Sequence, residues 1–365
     1  KGADCRPSRA ANLAFNTANR EAVTYFTDRI VSYLRERPEI RIFDLWPPDG
    51  VRWSECNDGE ALGSPVERQA KLVVAVHEAI GRARIPVRVE MIAYADTRSV
   101  PLETRLPRDV LVDFCPIGQN FDFQIDDPRG KNNAQYVAEL HEWRRSFSGD
   151  IGLYSYYRRY AWISLPVILP RYIQHDLQWY ASLPLQGVST YAEPGDWFTY
   201  EVNHFALAKL AWNPRTNADS LLGEYAAARY GAAAPDAGKA LEMMEETVRV
   251  FGSVQNSTPR SAAEIAAARI RIDAQRRAIS AQARRAHPRD VAGALDRLSL
   301  MLEFASRDLE IQHARAAGMP GDRILSLIDG LLPLFVANRN SGVFLLTGGD
   351  DKSRVRRHYG IRPAA

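Results

Sequence analysis

The sequence predicts an α/β protein with a (β/α)8 TIM-barrel-like domain followed by an all-α helical domain. Three observations carry that prediction. Short apolar or β-branched runs alternate with longer amphipathic stretches from residue 11 to about 230. Several of these runs are apolar throughout, as strands are when helices cover their sheet. Past about residue 232 the strand signal stops, and the chain turns rich in Ala, Arg and Glu.

The elements follow in order. "NLAFN" (12–16) is the first strand-like run, and "REAVTYFTDRIVSYLRER" then places Val23, Phe26, Ile30, Tyr33 and Leu34 on one helical face. "IRIFDLW" (40–46) is the next strand. "SPVERQAKLVVAVHEAIGRA" opens with Ser64 as N-cap, Pro65 at the first helical position and Glu67 completing a capping box. "VRVEMIAYA" (87–95) and "DVLVDFCPI" (109–117) are strands, and "NAQYVAELHEWRRSF" is the helix after them. "IGLYSYY" (151–157) and "GVSTYAE" (187–193) are the last two strands, separated by the helical "LPRYIQHDLQWYASL".

Six strands fall short of eight, so the first strands of the barrel are expected to lie outside this chain, or the barrel is partly open. An open doubly wound sheet is the competitor, but no Gly-rich phosphate loop follows any strand. The division expected is 1–232 for the barrel and 233–365 for a helical bundle and tail. In the second part, breaks at 252–260 and 317–321 separate about four helices.

A hydrophobic fraction of 46% with 25% charged residues suits a folded chain. The formal charge of +3 is near balance and argues against a nucleic-acid partner. No apolar run reaches the roughly 18–20 residues that a membrane span needs. Cys5, Cys56 and Cys115 are too few for a disulfide framework. The opening "KGADCRPSRAANLAFN" has no apolar central region, so no secretory signal is read there and localisation stays open. Its abrupt start suggests trimming from a longer chain.

Barrel enzymes place their chemistry at the C-terminal ends of the strands. Those ends carry Trp46, Asp49, Trp53 and Glu55, then Tyr94 and Asp96, then Tyr157, Arg158, Arg159 and Trp162, then Glu193, Trp197 and His204. Aromatic rings offer flat faces to sugar C–H groups, and carboxylates hold hydroxyls, so a carbohydrate ligand is expected. Glycoside hydrolysis needs two carboxyl groups flanking the scissile bond. Asp49 is the expected general acid, with Glu193 or Glu90 as base or nucleophile. "PPDG" equally reads as a plain turn around Asp49, and "YAEPGDW" as one around Glu193.

Arg88, Glu90, Tyr94 and Asp96 share one strand face by alternation. Buried carboxylates need partners, so Asp44 and Asp113 are expected in ion-pair layers, with Arg88 as one cation. Trp46, Trp53, Tyr157, Trp162 and Trp197 would be sugar platforms, and Arg158 or Arg159 would engage an anionic or hydroxyl-rich group. His77, His141, His175 and His204 show no metal-ligand spacing, so neither metal nor cofactor is expected.

The stretch "AFNTANREAVTYFTDRIVSYLRERPEIRIFDLWPPDGVRWSECNDGEAL" resembles the bacterial family known as domain of unknown function 4838. "VRVEMIAYADTR", "VLVDFCPIG", "IGLYSYYRRYAW" and "GVSTYAEPGDWFTYEVNHFALAKLAW" are similar to it too, over roughly residues 11–232. The resemblance implies a barrel near the family 20 β-hexosaminidases and family 67 α-glucuronidases, with an acid after the fourth barrel strand, here Asp49. Three departures stand out: Pro48 replaces the Asn usual before that Asp, only Cys56 remains of a paired-Cys knuckle, and the adjacent Asp-Glu pair of the hexosaminidases is absent. A glycoside hydrolase, with a uronic-acid or amino sugar among its expected substrates, is the reading; a non-catalytic carbohydrate-binding barrel is the alternative.

Overall fold

A computed structural model describes residues 16–50, 53, 63–250 and 259–361. Residues 12–15 of the strand expected at 12–16, and Cys5, Glu55 and Cys56, lie outside the described residues. The chain forms two compact units. One draws on residues up to Ile117, on Ala134–Ser155 and on Leu185–Ser189; the other on Gly118–Asn133, Tyr156–Pro184 and Thr190–Ala365.

In the first unit α1 (Arg20–Arg35), β1 (Ile42–Asp44), α2 (Pro65–Arg82), β2 (Arg88–Ala93) and β3 (Leu111–Phe114) follow one another. Then come α3 (Lys131–Ser146, its first turn in the second unit), β4 (Asp150–Ser155) and β5 (Val188–Thr190). The five strands make one curled, parallel half-barrel sheet in chain order. Ile42 pairs with Arg88, Glu90 with Leu111, and Leu111 with Asp150. The Leu153 N–H donates to the Gly187 carbonyl at 3.1 Å and joins β5.

One face of this sheet is apolar. Val89, Met91, Ala93, Val112, Phe114, Ile151 and Leu153 alternate along three strands and are all at most 3% exposed. The helices supply matching residues: α2 packs on β2 and on α1, burying Val73, Val76, Ile80, Ile30 and Leu34. Burial of a side chain this size contributes roughly 1.5–3 kcal/mol, so this layer carries the stability of the unit.

The α2 capping box does not form. Ser64 is the N-cap, with Pro65 just inside, but its side chain makes no capping bond. Glu67 is buried and turns away to accept the backbone N–H groups of Leu102, Glu103 and Thr104. Three donors from one loop outweigh the single N–H a box would offer. The same S-x-x-E pattern at Ser261 and Glu264 does form a box, where no such loop competes for the glutamate.

The second unit is helical: α4 (Pro170–Ala181), α5 (Trp197–Trp212), α6 (Ala218–Tyr230), α7 (Ala234–Thr247), α8 (Ala262–Ala283), α9 (Arg289–Ala316), α10 (Gly321–Asp329), α11 (Leu331–Ala337) and α12 (Asp351–His358). The residues beyond 232 thus share a unit with 156–184 and 190–232. In the expected tail, the Asp351 carboxylate accepts from Thr347 N–H at 2.8 Å and Gly348 N–H at 3.0 Å, which starts α12. Among the described residues, no helix is long and apolar enough to cross a membrane.

Candidate functional site

The other face of the sheet is polar, and its alternation explains why. Register places Asp44 beside Glu90, Ile92 beside Asp113, and Asp113 beside Gly152. Asp44, Glu90 and Asp113 therefore project from one face of three adjacent strands. Glu90 and Asp113 are each only 8% exposed. A Cβ at Gly152 would lie 3.1 Å from Asp113 Oδ1, so the glycine leaves room for that carboxylate.

Among the described residues, none of these three carboxylates forms an ion pair, which overturns the expected ion-pair layers. Arg88 is spent elsewhere: it pairs with Asp150 at 2.8 Å and donates to the Asp109 carbonyl at 2.8 Å. It sits at the start of β2 and reaches the strand entrances, away from Glu90. The acids instead face one another. Burial pushes Glu90 up to about 7, and the negative charges of Asp113 and Asp44 push the same way, against the Trp46 hydrogen bond. Asp113 also rises to about 7, through burial and then the charge of Asp44, opposed by a hydrogen bond from Ser189. Asp44 keeps more solvent contact and is raised by its own desolvation.

Aromatic groups border these acids. The Trp46 indole N–H donates to Glu90 Oε1 at 3.2 Å, and its ring meets Tyr154 edge-on at 5.4 Å and 87°. Trp46 keeps 37% of its surface in solvent. Tyr94, just past β2, has its hydroxyl hydrogen-bonded to Asp49, and burial followed by the Asp49 charge pushes it up to about 12. Asp49 stands in the turn closed by Gly50, whose φ of 63° suits glycine. The "PPDG" segment is thus a turn that also holds its carboxylate against Tyr94. Cys115 is a buried thiol two residues past Asp113 on the same face.

Other expected residues lie elsewhere. Asp96 leaves the strand face, because the chain turns at Ala95 (φ 46°) into a 3-10 turn, Ala95–Thr97, and Asp96 is exposed there. Trp53 is half-buried. Glu193, Arg158, Arg159, Tyr157, Trp162, Trp197 and His204 belong to the second unit, and Asp49 and Glu90 to the first.

In the second unit the arginines are structural. Arg158 is 1% exposed and grips Asp196 with two N–H groups, at 3.2 and 2.7 Å. Ser164 Oγ donates to the same carboxylate at 2.8 Å and accepts from Leu345 N–H at 2.9 Å. Arg159 is buried and donates to the Gln119 carbonyl at 2.7 Å. Neither guanidinium is presented to a ligand as expected, because each satisfies a buried acceptor. Trp162 and Tyr157 are both 0% exposed and are core rings rather than sugar platforms. Glu193 is half-buried and accepts from the Tyr191 hydroxyl.

Sequence reasoning missed Tyr154, Ser189 and the grouping of Asp113 with Glu90 at the site. The signal was present in strand alternation, which puts Asp113 and Cys115 on one side and Val112 and Phe114 on the other. What defines the molecule at this level is a parallel half-barrel α/β protein with a carboxylate cluster and aromatic border on the face opposite its apolar one. The family model of a domain of unknown function (DUF4838) matches residues 6–241, and the chain belongs to that family. A search of curated proteins finds no match to the chain.

Proposed function

We infer that the protein is a glycoside hydrolase of the (β/α)8-barrel type using carboxylate acid–base catalysis. The observation that carries this reading is the grouping of Glu90, Asp113 and Asp44 on one strand face beside the partly exposed Trp46, where burial and the neighbouring acids raise the Glu90 carboxyl to about 7. A group that keeps its proton near neutrality suits the donor role. Glu90 would give its proton to the glycosidic oxygen as the C–O bond breaks. Asp49, expected from the sequence as the general acid, would instead act on the opposite side, oriented by Tyr94, as base toward water or as nucleophile at the anomeric carbon. Trp46 and Tyr154 would offer the apolar surface that a sugar ring packs against.

Aryl glycosides and aryl uronides test the reading. Glu90→Gln is expected to lower kcat by about 100-fold or more on whichever substrate turns over, and Asp49→Asn to do the same. Full activity in both variants would overturn these assignments. Oligosaccharide binding at the Trp46 face without turnover of any such substrate would establish the carbohydrate-binding barrel instead.

A further inference from the structure

Helices α5 and α6 of the second unit line a cavity of about 480 Å³. Trp197, Glu201, His204, Phe205 and Ala208 recur at helical spacing on α5, and Glu224, Tyr225, Ala228 and Arg229 on α6. The Trp197 indole stacks on the His204 imidazole at 4.7 Å and 18°, and 46% of Trp197 remains in solvent. Phe205 and Tyr225 form a second ring pair at 5.7 Å. The two alanines leave the space between these rings open.

The charges at this cavity cancel. Glu224 meets Lys209 at 2.7 Å, and Glu201 meets Arg229 at 3.4 Å while accepting from the Tyr225 hydroxyl at 3.3 Å. His204 adds no charge at neutral pH, since burial and then the Arg158 charge push it down to about 4. A charged ligand would therefore gain little net Coulomb energy here. A neutral ring with one flat C–H face and several hydroxyls gains from both features: stacking on the exposed indole, and hydrogen bonds to carboxylate oxygens with acceptor capacity to spare.

We propose that the α5–α6 cavity binds a neutral pyranose unit of an oligosaccharide, with Trp197 as stacking platform and Glu201 and Glu224 as hydroxyl acceptors. This site shares no residue with the carboxylate face of the first unit, and its occupancy does not depend on hydrolysis there.

Titrations of the whole chain with cellotetraose, xylotetraose, mannotetraose and chitotetraose, read by tryptophan fluorescence and calorimetry, test it. A tetragalacturonate serves as the charged comparison. At least one neutral tetramer is expected to bind, with affinity falling about tenfold or more in Trp197→Ala and partly restored in Trp197→Phe. Trp212→Ala is the control, since Trp212 lies on the same helix, is 91% exposed and does not line the cavity. Glu90→Gln, which lowers turnover in the reading above, leaves this binding intact, so failure of one reading is distinguishable from failure of the other. Absence of binding by all four neutral tetramers at millimolar concentration overturns the proposal. So does binding unchanged in Trp197→Ala, or equal binding of tetragalacturonate.

Discussion

Trp46 Nε1 lies 3.2 Å from Glu90 Oε1, joining the residue two past the end of β1 to the middle of β2. That one donor opposes the burial and the two neighbouring acids that raise Glu90, so the tryptophan adjusts the acidity of the candidate proton donor.

Stability should record this arrangement. Glu90 is raised from an ordinary 4.5 to about 7, so between those values the folded state binds more protons than the unfolded one. The stabilisation is complete below about 4.5 and is lost as pH rises through 7. Urea unfolding of wild type and Glu90→Gln at pH 5 and pH 8 is expected to differ by about 1–3 kcal/mol in their pH response, with the variant less pH-sensitive. An unchanged response in Glu90→Gln would show that the carboxylate is not held as described.

Replacing Trp46 by Phe removes the N–H and keeps a ring. The Glu90 titration, followed by carboxyl-carbon NMR, is expected to move upward, because the hydrogen bond that opposes burial and the neighbouring acids is gone. A downward movement would contradict the role assigned to the indole.

Glu67 fastens the 102–104 loop by accepting three backbone N–H groups. Burial works to raise its pKa, but the hydrogen bonds from Glu103, Thr104 and Leu102 prevail and lower it. Its contribution is therefore present above the ordinary glutamate range and fades as pH falls. Glu67→Gln should cost about 2–3 kcal/mol at pH 7 and accelerate amide exchange at Leu102, Glu103 and Thr104, with a smaller cost near pH 3.

The Arg158–Asp196 pair is fully desolvated, so removing one member strands a buried charge. Asp196→Ala is expected to lose about 3–5 kcal/mol in denaturant unfolding, and the double variant Arg158→Met with Asp196→Leu considerably less. Equal losses in both would mean that packing, and not the stranded guanidinium, sets the cost.

Five of the strand runs were legible because a parallel strand under helices needs consecutive apolar residues, and "VRVEMIAYA" and "DVLVDFCPI" supply them. The helix at Asp351–His358 was not, since "DKSRVRRH" carries no apolar stripe and forms where Asp351 accepts the Thr347 and Gly348 N–H groups. At the candidate site, Asp49, Trp46 and Tyr94 stood out by their place near strand ends, and Glu90 as a carboxylate inside a strand. Tyr157, Trp162 and the two arginines were placed at a ligand by the same rule, yet they are buried. Position along a strand gives the end of the sheet, but not which side chains the following segment folds back over.

The sequence by itself determined the strand–helix order, the residues of the apolar layer and membership of carboxylates in the strands, because these depend on periodicities of two and 3.6 residues that any local stretch displays. Tertiary structure alone decided who meets whom. Register brought Asp44 and Asp113, expected in ion pairs, together with Glu90 into one cluster of acids without a cation among the described residues, while Arg88 pairs with Asp150 instead. Long-range pairing sets the dielectric and the neighbouring charges, and those two quantities determine what a carboxylate does at neutral pH.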